Sequence, residues 1–341
     1  MKKRITISLL CIILLAAGFI TWQFLGPTVS APEGKYFYIK TGTVYADVKQ
    51  NLLDEKIIHN SLFFDFLSNR IKYPSHVKAG RYKINSGTSL YKLLRMLRSG
   101  SQAPVNLVIN KIRTKEDLAQ KIAANFECDS ASFMNALNDS QTWHQFNVDS
   151  NTIITLVIPN TYSFYWNTPA SKIIKKLNDE KIKFWTADRL AKAKAINLTP
   201  EQVYSMASIV EEETNKEEDK GKIASVYINR IALGMKLQAD PTVKFAMKDF
   251  KLTRILFTHL NYPSPFNTYV NTGLPPGPIC TPSVKTIDAV LNAPKTNYLY
   301  FVAKPTFDGY SNFASTYAEH QINAKAYQQA LDSLIRARAN K

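Results

Sequence analysis

The stretch MASIVEEETNKEEDKGKIASVYINR, residues 206–230, places three consecutive glutamates at the end of an apolar segment. Just upstream, Thr199, Pro200 and Gln202 form a strong helix start: a threonine cap, a proline in the first turn and a capping-box glutamine. The pattern therefore predicts a helix that begins next to Pro200 and runs into the glutamates. Whether one of their carboxyl groups points inward decides what this helix can do.

The apolar positions of this helix define one face, on which the placement of the glutamates depends. That face comprises Val203, Met206, Ala207 and Val210, which recur at helical spacing. At about 100° per residue, Glu212 falls on the opposite side and is expected to face solvent. Glu211 and Glu213 fall on the two flanks of the apolar stripe, and the pattern does not choose between them.

A half-buried carboxylic acid on such a flank loses hydration, so its pKa rises towards neutrality. A carboxyl group of that kind can act as the general acid in the cleavage of a glycosidic bond. A glutamate at a helix end near many lysines is also a common surface ion-pair partner. The residue pattern is compatible with both interpretations.

The second half of the stretch predicts another helix, with an acidic first turn at 217–219 and a stop at Gly234. Asn229 and Arg230, near its end, are interpreted as a capping residue and a surface charge. Its core face comprises Ile223, Val226, Tyr227 and Ile231.

Polar residues follow in loops shaped by proline and glycine, and two tyrosines lie near them. They are Gln238, Asp240, Asn267, Asn271 and Thr272, with Tyr262 and Tyr269 nearby. Such groups can bind sugar hydroxyls and N-acetyl groups, and aromatic faces can cover the C–H surface of a sugar. The same residue types are ordinary turn formers, so the composition leaves both roles open.

The composition of the whole chain indicates a folded protein with an anionic partner. It has 341 residues, enough for two domains, of which 45% are hydrophobic. Lysine and arginine number 43 against 27 aspartates and glutamates, a net charge of +16. Such a surplus favours a nucleic acid, an anionic membrane surface or an acidic polymer.

The N-terminus selects among these partners. Residues 2–4 are basic, and an uncharged apolar run over 5–25 is long enough to span a bilayer. Small residues lie inside this run, with more apolar residues after them, which favours an uncleaved anchor over a signal peptide. The basic residues should stay in the cytoplasm, so the rest of the chain is expected outside the inner membrane. An exported chain disfavours nucleic acid and favours the bacterial cell wall.

The cysteines add little. Cys128 and Cys280 would lie outside the cytoplasm, where a disulfide is permitted, but two cysteines do not by themselves show that they pair. Neither has a histidine or cysteine neighbour at metal spacing, so no metal or cofactor is predicted.

The order of patterns predicts an α+β fold with a single N-terminal membrane helix, a small α+β domain and a larger α+β catalytic domain. In the small domain the order is strand, helix, helix, strand, helix. The predicted segments are a cytoplasmic tail (1–4), the transmembrane anchor (5–25), a linker (26–35), the small domain (36–105), a second strand–helix unit that acts as connector (106–150) and the catalytic domain (151–341).

A resemblance to one family rests on long strings of this sequence: MASIVEEET, KIASVYINRIALGMKLQADPTVKFAM, NTYVNTGLPPGPICTPS, NYLYFVA and FASTYAEH. They resemble the endolytic murein transglycosylases, the MltG/YceG-like family. VIPNTYSF, at 157–164, is similar to a further element of that family. HVKAGRYKINSGTSLYKLLRMLRSG resembles the LysM-like domain of that family, so the small domain is expected to be LysM-like. The resemblance covers nearly the whole chain.

The resemblance implies an enzyme that cuts the β-1,4 bond between N-acetylmuramic acid and N-acetylglucosamine inside peptidoglycan strands. Attack of the muramic O6 on its own C1 leaves a 1,6-anhydro end without adding water. The family's catalytic glutamate corresponds to Glu213, and Glu211 is expected to support the site. The other substrate-binding or supporting residues that the resemblance implies are Asn229, Gln238, Asp240, Thr242, Asn267, Tyr269, Thr272 and Tyr162.

The family also implies an anchored enzyme that sets the length of nascent strands beside the peptidoglycan synthases. Two alternatives stay open: a non-catalytic peptidoglycan-binding protein, and a hydrolase that uses water with Asp240 as a second carboxylate. The reaction products separate the three, because they are anhydro ends, no new ends and reducing ends, respectively. The LysM-like module could bind glycan or act as a spacer.

Overall fold

A computed structural model of the protein describes residues 2–339. Met1, in the predicted cytoplasmic tail, and Asn340 and Lys341, at the end of the predicted catalytic domain, lie outside the described residues. The fold mixes helix and sheet, with 54% of residues in helices and 8% in strands. The predicted α+β class is therefore confirmed. The chain divides into two compact units, which are described separately.

The predicted anchor forms one continuous helix, α1 (Lys2–Leu25). The segment Lys3–Leu25 is long and apolar enough to cross a membrane, and it is the one such helix within residues 2–339. Its large apolar side chains are exposed, Leu15 to 74% for example. A helix with this much uncovered apolar surface fits a lipid environment better than water.

The first unit contains residues up to Leu107, with Ile122–Asp129 and Ser163–Pro169. After α1 its elements are β1 (Tyr36–Ile39), α2 (Tyr45–Asp54), α3 (Ser61–Arg70), a 3-10 turn (Tyr73–Ser75), β2 (Gly80–Lys83) and α4 (Leu90–Ser99). This is the predicted order of strand, helix, helix, strand, helix.

The core of the first unit lies between its sheet and its helices. Strands β1 and β2 are antiparallel, with Phe37 opposite Tyr82, and both of these side chains are fully buried. Helix α4 adds four buried leucines at helical spacing and begins at the side-chain cap of Ser89. It ends at Gly100, whose φ of +73° is the left-handed conformation that glycine adopts without strain.

The second unit contains Val108–Lys121, Ser130–Tyr162 and Ala170–Lys341. A 3-10 turn covers Ile153–Leu156. The strand Val105–Ile109 pairs with Asn160–Phe164, and the strand Tyr300–Ala303 pairs with Ser311–Ala314 in antiparallel fashion. The remaining elements in chain order are β3 (Val105–Ile109), α5 (Lys115–Ala123), α6 (Ser130–Asn138), α7 (Ser140–Phe146), β4 (Asn160–Phe164), α8 (Ala170–Phe184), α9 (Ala187–Ala195), α10 (Pro200–Glu213), α11 (Glu217–Ala232), α12 (Asp240–Met247), α13 (Phe257–Leu260), α14 (Val284–Leu291), β5 (Tyr300–Ala303), β6 (Ser311–Ala314) and α15 (Tyr317–Ala339).

Helix α10 is the centre of the second unit. Thr199 and Gln202 form the predicted capping box, in which each side chain accepts a hydrogen bond from the other residue's backbone N–H, at 3.2 and 2.9 Å. Every residue from Val203 to Val210 is buried, because helices α11 and α14 pack against it and other segments cover the remaining side. The helix is therefore buried on all sides, whereas its sequence pattern had predicted one buried face.

One predicted loop is a helix. Asp240 was expected in a loop shaped by proline and glycine, but it is the first residue of α12. Proline belongs naturally in the first turn of a helix, where its missing N–H is not needed, and Pro241 occupies that position. An acidic residue at a helix N-terminus is also favoured by the helix dipole.

Candidate active site

Helix α10 ends at Glu213, and Thr214 follows in an extended conformation. The three glutamates therefore occupy the last helical turn, where the dipole of the helix is negative and disfavours carboxylates. Each of them needs a cation, a set of hydrogen-bond donors or a proton to be stable there. Each of the three glutamates is stabilised at this helix end in a different way.

Glu211 is fixed by the start of helix α14. Its Oε2 accepts a hydrogen bond from the Ser283 hydroxyl at 3.0 Å and another from the Thr286 hydroxyl. The ammonium group of Lys220, which is 5% exposed, lies 3.5 Å from the same oxygen. The Glu211 carboxylate thus ties α10 to the positive end of α14.

Glu212 does not face solvent, so that expectation was wrong. Its side chain is 17% exposed, and its two oxygens lie 3.2 Å from Lys111 Nζ and 3.0 Å from Arg113 Nη2. Burial alone would raise its pKa, but these two cations hold the pKa below its ordinary value. Lys111 and Arg113 flank Ile112, whose backbone N–H and carbonyl are both hydrogen-bonded to Thr281.

Glu213 has no cation within ion-pair distance among the described residues. Its Oε1 accepts a hydrogen bond of 2.7 Å from the hydroxyl of Tyr227, which is fully buried on α11. Burial raises the pKa of Glu213 to about 7; the Tyr227 hydrogen bond opposes this rise, the charge of Asp240 adds to it, and Lys244 opposes it. Glu213 can therefore both give and take a proton near neutral pH.

Asp240, at the start of α12, is the carboxylate that acts on Glu213. Its Oδ1 accepts a hydrogen bond of 2.7 Å from the hydroxyl of Tyr269. Burial and then Asp240 raise the pKa of Tyr269, so the phenol keeps its proton as a donor. Glu213 is half-buried, and the nearby charge of Asp240 adds to the rise of its pKa.

Arg230 fixes the chain just before Asp240. It is 8% exposed, and its guanidinium donates to the carbonyl oxygens of Leu299, at 2.7 Å, and Leu237, at 2.8 Å. It also reaches the side-chain oxygen of Gln238 at 3.4 Å. Arg230 had been interpreted as a surface charge, but it is a buried anchor that holds the loop leading into α12.

Two clefts meet at the end of α10. The larger, of about 580 Å³, contains Glu213 and Asp240 together with Lys244 and Arg254, and helix α15 contributes Tyr327 to its wall. A smaller cleft of about 380 Å³ also includes Glu212 and Glu213 and extends to Lys111, Lys216 and Gly309. Glu213 thus has open space on two sides.

The remaining residues implied by the resemblance are placed in different ways. Asn229 donates to the carbonyls of Thr296 and Tyr298, at 2.8 and 2.9 Å. Asn267 and Thr242 are fully buried and hold neighbouring backbone and hydroxyl groups. These contacts organise the loops around α12.

Tyr162 is 3% exposed and donates to the carbonyl of Ile158, so it belongs to the core. Gln238 and Thr272 are exposed. Of the predicted residues, Asp240 and Tyr269 form a hydrogen-bonded pair, and Asp240 lines the cleft beside Glu213.

Sequence reasoning missed four groups in or beside the cleft: Tyr227, Arg230, Lys244 and Arg254. A signal existed for the first two, since Tyr227 and Arg230 are three residues apart and share one side of a helix. For Lys244 the signal was its position four residues after Asp240, once 240–247 is taken as a helix. Within residues 2–339, no group of three or more histidine, cysteine, aspartate or glutamate side chains is arranged to hold a metal ion.

Comparison with known proteins gives consistent matches. The model of the YceG-like family matches residues 37–326. A protein of Bacillus subtilis (strain 168) named endolytic murein transglycosylase is 31% identical over 309 residues, which cover 85% of this chain and 83% of that protein. An endolytic murein transglycosylase of Streptococcus pneumoniae (strain ATCC BAA-255 / R6) is 26% identical over 361 residues, covering 94% of this chain and 64% of that protein.

A solved structure also matches. The crystal structure of a YceG-like protein from Listeria monocytogenes aligns with a TM-score of 0.55 at 28% identity. The alignment covers 84% of this chain and 97% of that one. The similarity in sequence and in fold therefore extends over both compact units.

Proposed function

Since the chain belongs to the YceG-like family and is a lytic transglycosylase, we propose that it cleaves peptidoglycan strands internally at the bond from N-acetylmuramic acid to N-acetylglucosamine. The muramic C6 hydroxyl attacks its own C1, the bond from C1 to the glucosamine O4 breaks, and a 1,6-anhydro end forms. No water enters the product. The half-buried Glu213, with its pKa near 7, is the observation that carries this proposal.

Glu213 serves the reaction first as an acid and then as a base. Protonated, it donates to the glycosidic oxygen as the bond from C1 breaks. As a carboxylate it then takes the proton of the attacking C6 hydroxyl. A pKa near 7 suits both steps, and the Tyr227 hydrogen bond stabilises the carboxylate between them.

One carboxyl group suffices because the nucleophile belongs to the substrate. Ordinary glycosidases need a second carboxyl group as base or nucleophile. A tethered hydroxyl removes that need and gains the entropic advantage of an intramolecular attack. Asp240, held by Tyr269, then has an electrostatic role: it keeps Glu213 protonated and stabilises positive charge that develops at C1.

The two clefts support internal cleavage. They share Glu212 and Glu213, so a strand could be bound on both sides of the acid. An enzyme that cuts within a strand needs sugar-binding surface on both sides of the broken bond. Gln238 and Thr272, which are exposed, are proposed as hydrogen-bonding partners of the sugars, while Glu211, Asn229, Thr242, Asn267 and Tyr162 support the surrounding structure.

The site of action follows from α1. We propose that this helix anchors the chain in the inner membrane with its basic end in the cytoplasm, which leaves the catalytic unit outside. The linker of about ten residues keeps the enzyme close to the bilayer. Cleavage there would set the length of strands as the synthases produce them.

The first unit has a surface suited to glycan, which supports the LysM-like interpretation over that of a spacer. A cleft of about 650 Å³ is lined by Tyr38, Trp166, Asp47 and Asn51, and the two aromatic rings meet edge to face at 5.0 Å. Aromatic faces beside amide and carboxylate groups suit N-acetylated sugars. Replacing Trp166 with alanine should lower retention of the full chain on purified wall sacculi, and unchanged retention would favour the spacer.

The reaction is tested with uncrosslinked strands and the full chain in detergent. We expect mass spectrometry to find new internal 1,6-anhydromuramic ends with the wild type and none with Glu213→Gln. Glu218→Gln is the matched control, because Glu218 is an exposed residue of the next helix. Full activity of Glu213→Gln would exclude Glu213 as the acid, and strand binding without new ends would indicate a non-catalytic binding protein.

A further inference from the structure

The larger cleft holds two cations without partners of their own. Lys244 on α12 and Arg254 on the following loop both line the cleft beside Glu213. Neither makes a hydrogen bond or an ion pair through its side chain with another residue of the described range 2–339. The cleft therefore offers an ammonium and a guanidinium group to an anionic ligand, beside the Asp240 carboxylate.

Several other lysines that are buried or half-buried do have a partner, which is an aromatic ring for Lys216 and Lys304, over Tyr310, and a carboxylate for others. Lys220 and Lys181 are 5% and 11% exposed, and each lies within 3 Å of a glutamate oxygen. Lys111, at 34% exposed, is paired with Glu212. Taking an ammonium group partly out of water is costly, and at Lys220, Lys181 and Lys111 a glutamate offsets that cost.

Lys244 has a carboxylate at helical spacing that it does not use. Asp240 precedes it by four residues on α12, the arrangement that commonly forms an ion pair. The Asp240 carboxylate instead accepts the Tyr269 hydroxyl at 2.7 Å. Below neutral pH the protonated Glu213 cannot pair with Lys244 either, so the ammonium remains available to a ligand.

Resting on the proposed function, we propose that Lys244 and Arg254 bind a carboxylate carried by the muramic acid residue whose C1 is attacked. The two cations thereby position the muramic sugar and exclude strands without carboxylates, such as polymers of N-acetylglucosamine alone. Lys244 supplies a half-buried point charge, and Arg254, which is exposed, supplies a planar donor group.

A muramic residue can present this carboxylate in two ways. In a peptide-free strand it is the lactyl group on O3 of the sugar. In a strand with stem peptides the lactyl carboxyl is an amide, and the carboxylates belong to the peptide. Both place negative charge next to the reacting sugar, so substrates must separate them.

The first experiment compares three strand preparations with the full-length wild type in detergent at about pH 6, where Glu213 is protonated. They are peptide-free strands, the same strands with their lactyl carboxyls converted to methyl amides, and peptide-bearing strands. A lactyl site predicts that amidation lowers kcat/KM about tenfold. A stem-peptide site predicts that peptide-bearing strands are cleaved about tenfold better than peptide-free ones.

The second experiment assigns the preference to the two cations. Lys244→Met should raise KM about tenfold on the preferred strand, with kcat changed less than about threefold, and should abolish the preference between preparations. Arg254→Gln should act in the same direction by about threefold, because exposed charges are screened. Lys244→Arg should restore most of the affinity, and Lys251→Met, an exposed lysine outside the cleft, is the control.

Equal cleavage of all three preparations by the wild type would overturn the inference, as would a preference that survives in Lys244→Met. Neither result would affect the proposed reaction, which requires only that the wild type forms anhydro ends. A wild type that formed none would instead overturn the proposed function. Circular dichroism of each variant shows that a change in KM does not come from unfolding.

Discussion

Replacing Tyr227 with phenylalanine should extend activity to higher pH. The change removes the 2.7 Å hydrogen bond that stabilises the Glu213 carboxylate and keeps the ring that packs 6.0 Å from Phe301. A hydrogen bond to a charged group contributes about 1.5–3 kcal/mol. Since one pKa unit corresponds to about 1.36 kcal/mol, the pKa of Glu213 should rise by about 1–2 units.

The sign of this shift is fixed by the role of Glu213 as an acid. The enzyme is active while Glu213 carries its proton, so kcat/KM falls as pH rises through the pKa, which is about 7 in the wild type. In Tyr227→Phe this fall should begin at about pH 8 to 9. A pH profile of strand cleavage by the full chain measures the shift directly.

A matched variant separates this effect from general damage to the core. Tyr204→Phe also removes a buried tyrosine hydroxyl, one that donates to the Val157 carbonyl at 2.5 Å, but it does not touch Glu213. It should lower thermal stability and leave the pH profile unchanged. An alkaline limb of Tyr227→Phe that stays in place, or moves to lower pH, would contradict the stabilisation of the Glu213 carboxylate by Tyr227.

Three further predictions concern stability and loop order. The native pKa of Glu213 is raised from 4.5 to about 7, so the stability of the wild type falls as pH rises through that window. Glu213→Gln should therefore be more stable than the wild type above pH 7, by at most about 3 kcal/mol. Thermal unfolding should show no such gain below pH 4.5. The pKa of Glu212 is lowered in the folded protein, so its carboxylate stabilises the fold above the unfolded pKa, and this stabilisation is lost as pH falls through the folded pKa. Glu212→Gln should cost about 1 kcal/mol of unfolding free energy at neutral pH and nothing in strong acid, as measured by denaturant unfolding. Arg230→Met should lower the unfolding free energy by about 2–4 kcal/mol and lower kcat/KM, because the start of α12 is no longer held. Arg230→Lys should restore neither quantity, because one ammonium group cannot donate to both the Leu299 and the Leu237 carbonyl oxygens.

Local signals in the sequence predicted the local structure well. The capping box at Thr199 and Gln202, the stop at Gly234 and the element order of the first unit depend on neighbouring residues, and all three are present. The apolar N-terminal run likewise forms one long helix. Each of these features follows from backbone rules that act within a few residues.

Long-range contacts account for what the pattern could not supply. Helical periodicity placed Glu212 in solvent because it assumed one buried face, whereas Lys111 and Arg113 reach Glu212 from about a hundred residues away. The choice between Glu211 and Glu213 likewise depended on distant hydroxyls that occupy Glu211 and on Tyr227, which leaves Glu213 able to exchange its proton. Only the family resemblance favoured Glu213 at the level of sequence.

In the proposed reaction the muramic C6 hydroxyl, and not water, attacks C1 while Glu213 gives and takes the protons. Cleavage of uncrosslinked strands in water labelled with heavy oxygen tests this most directly, because mass spectrometry of the new muramic ends shows whether solvent oxygen has entered. We expect anhydro ends, lighter than reducing ends by one water and free of the label. Labelled reducing ends would contradict it and would indicate a hydrolase in which Asp240 serves as the second carboxylate.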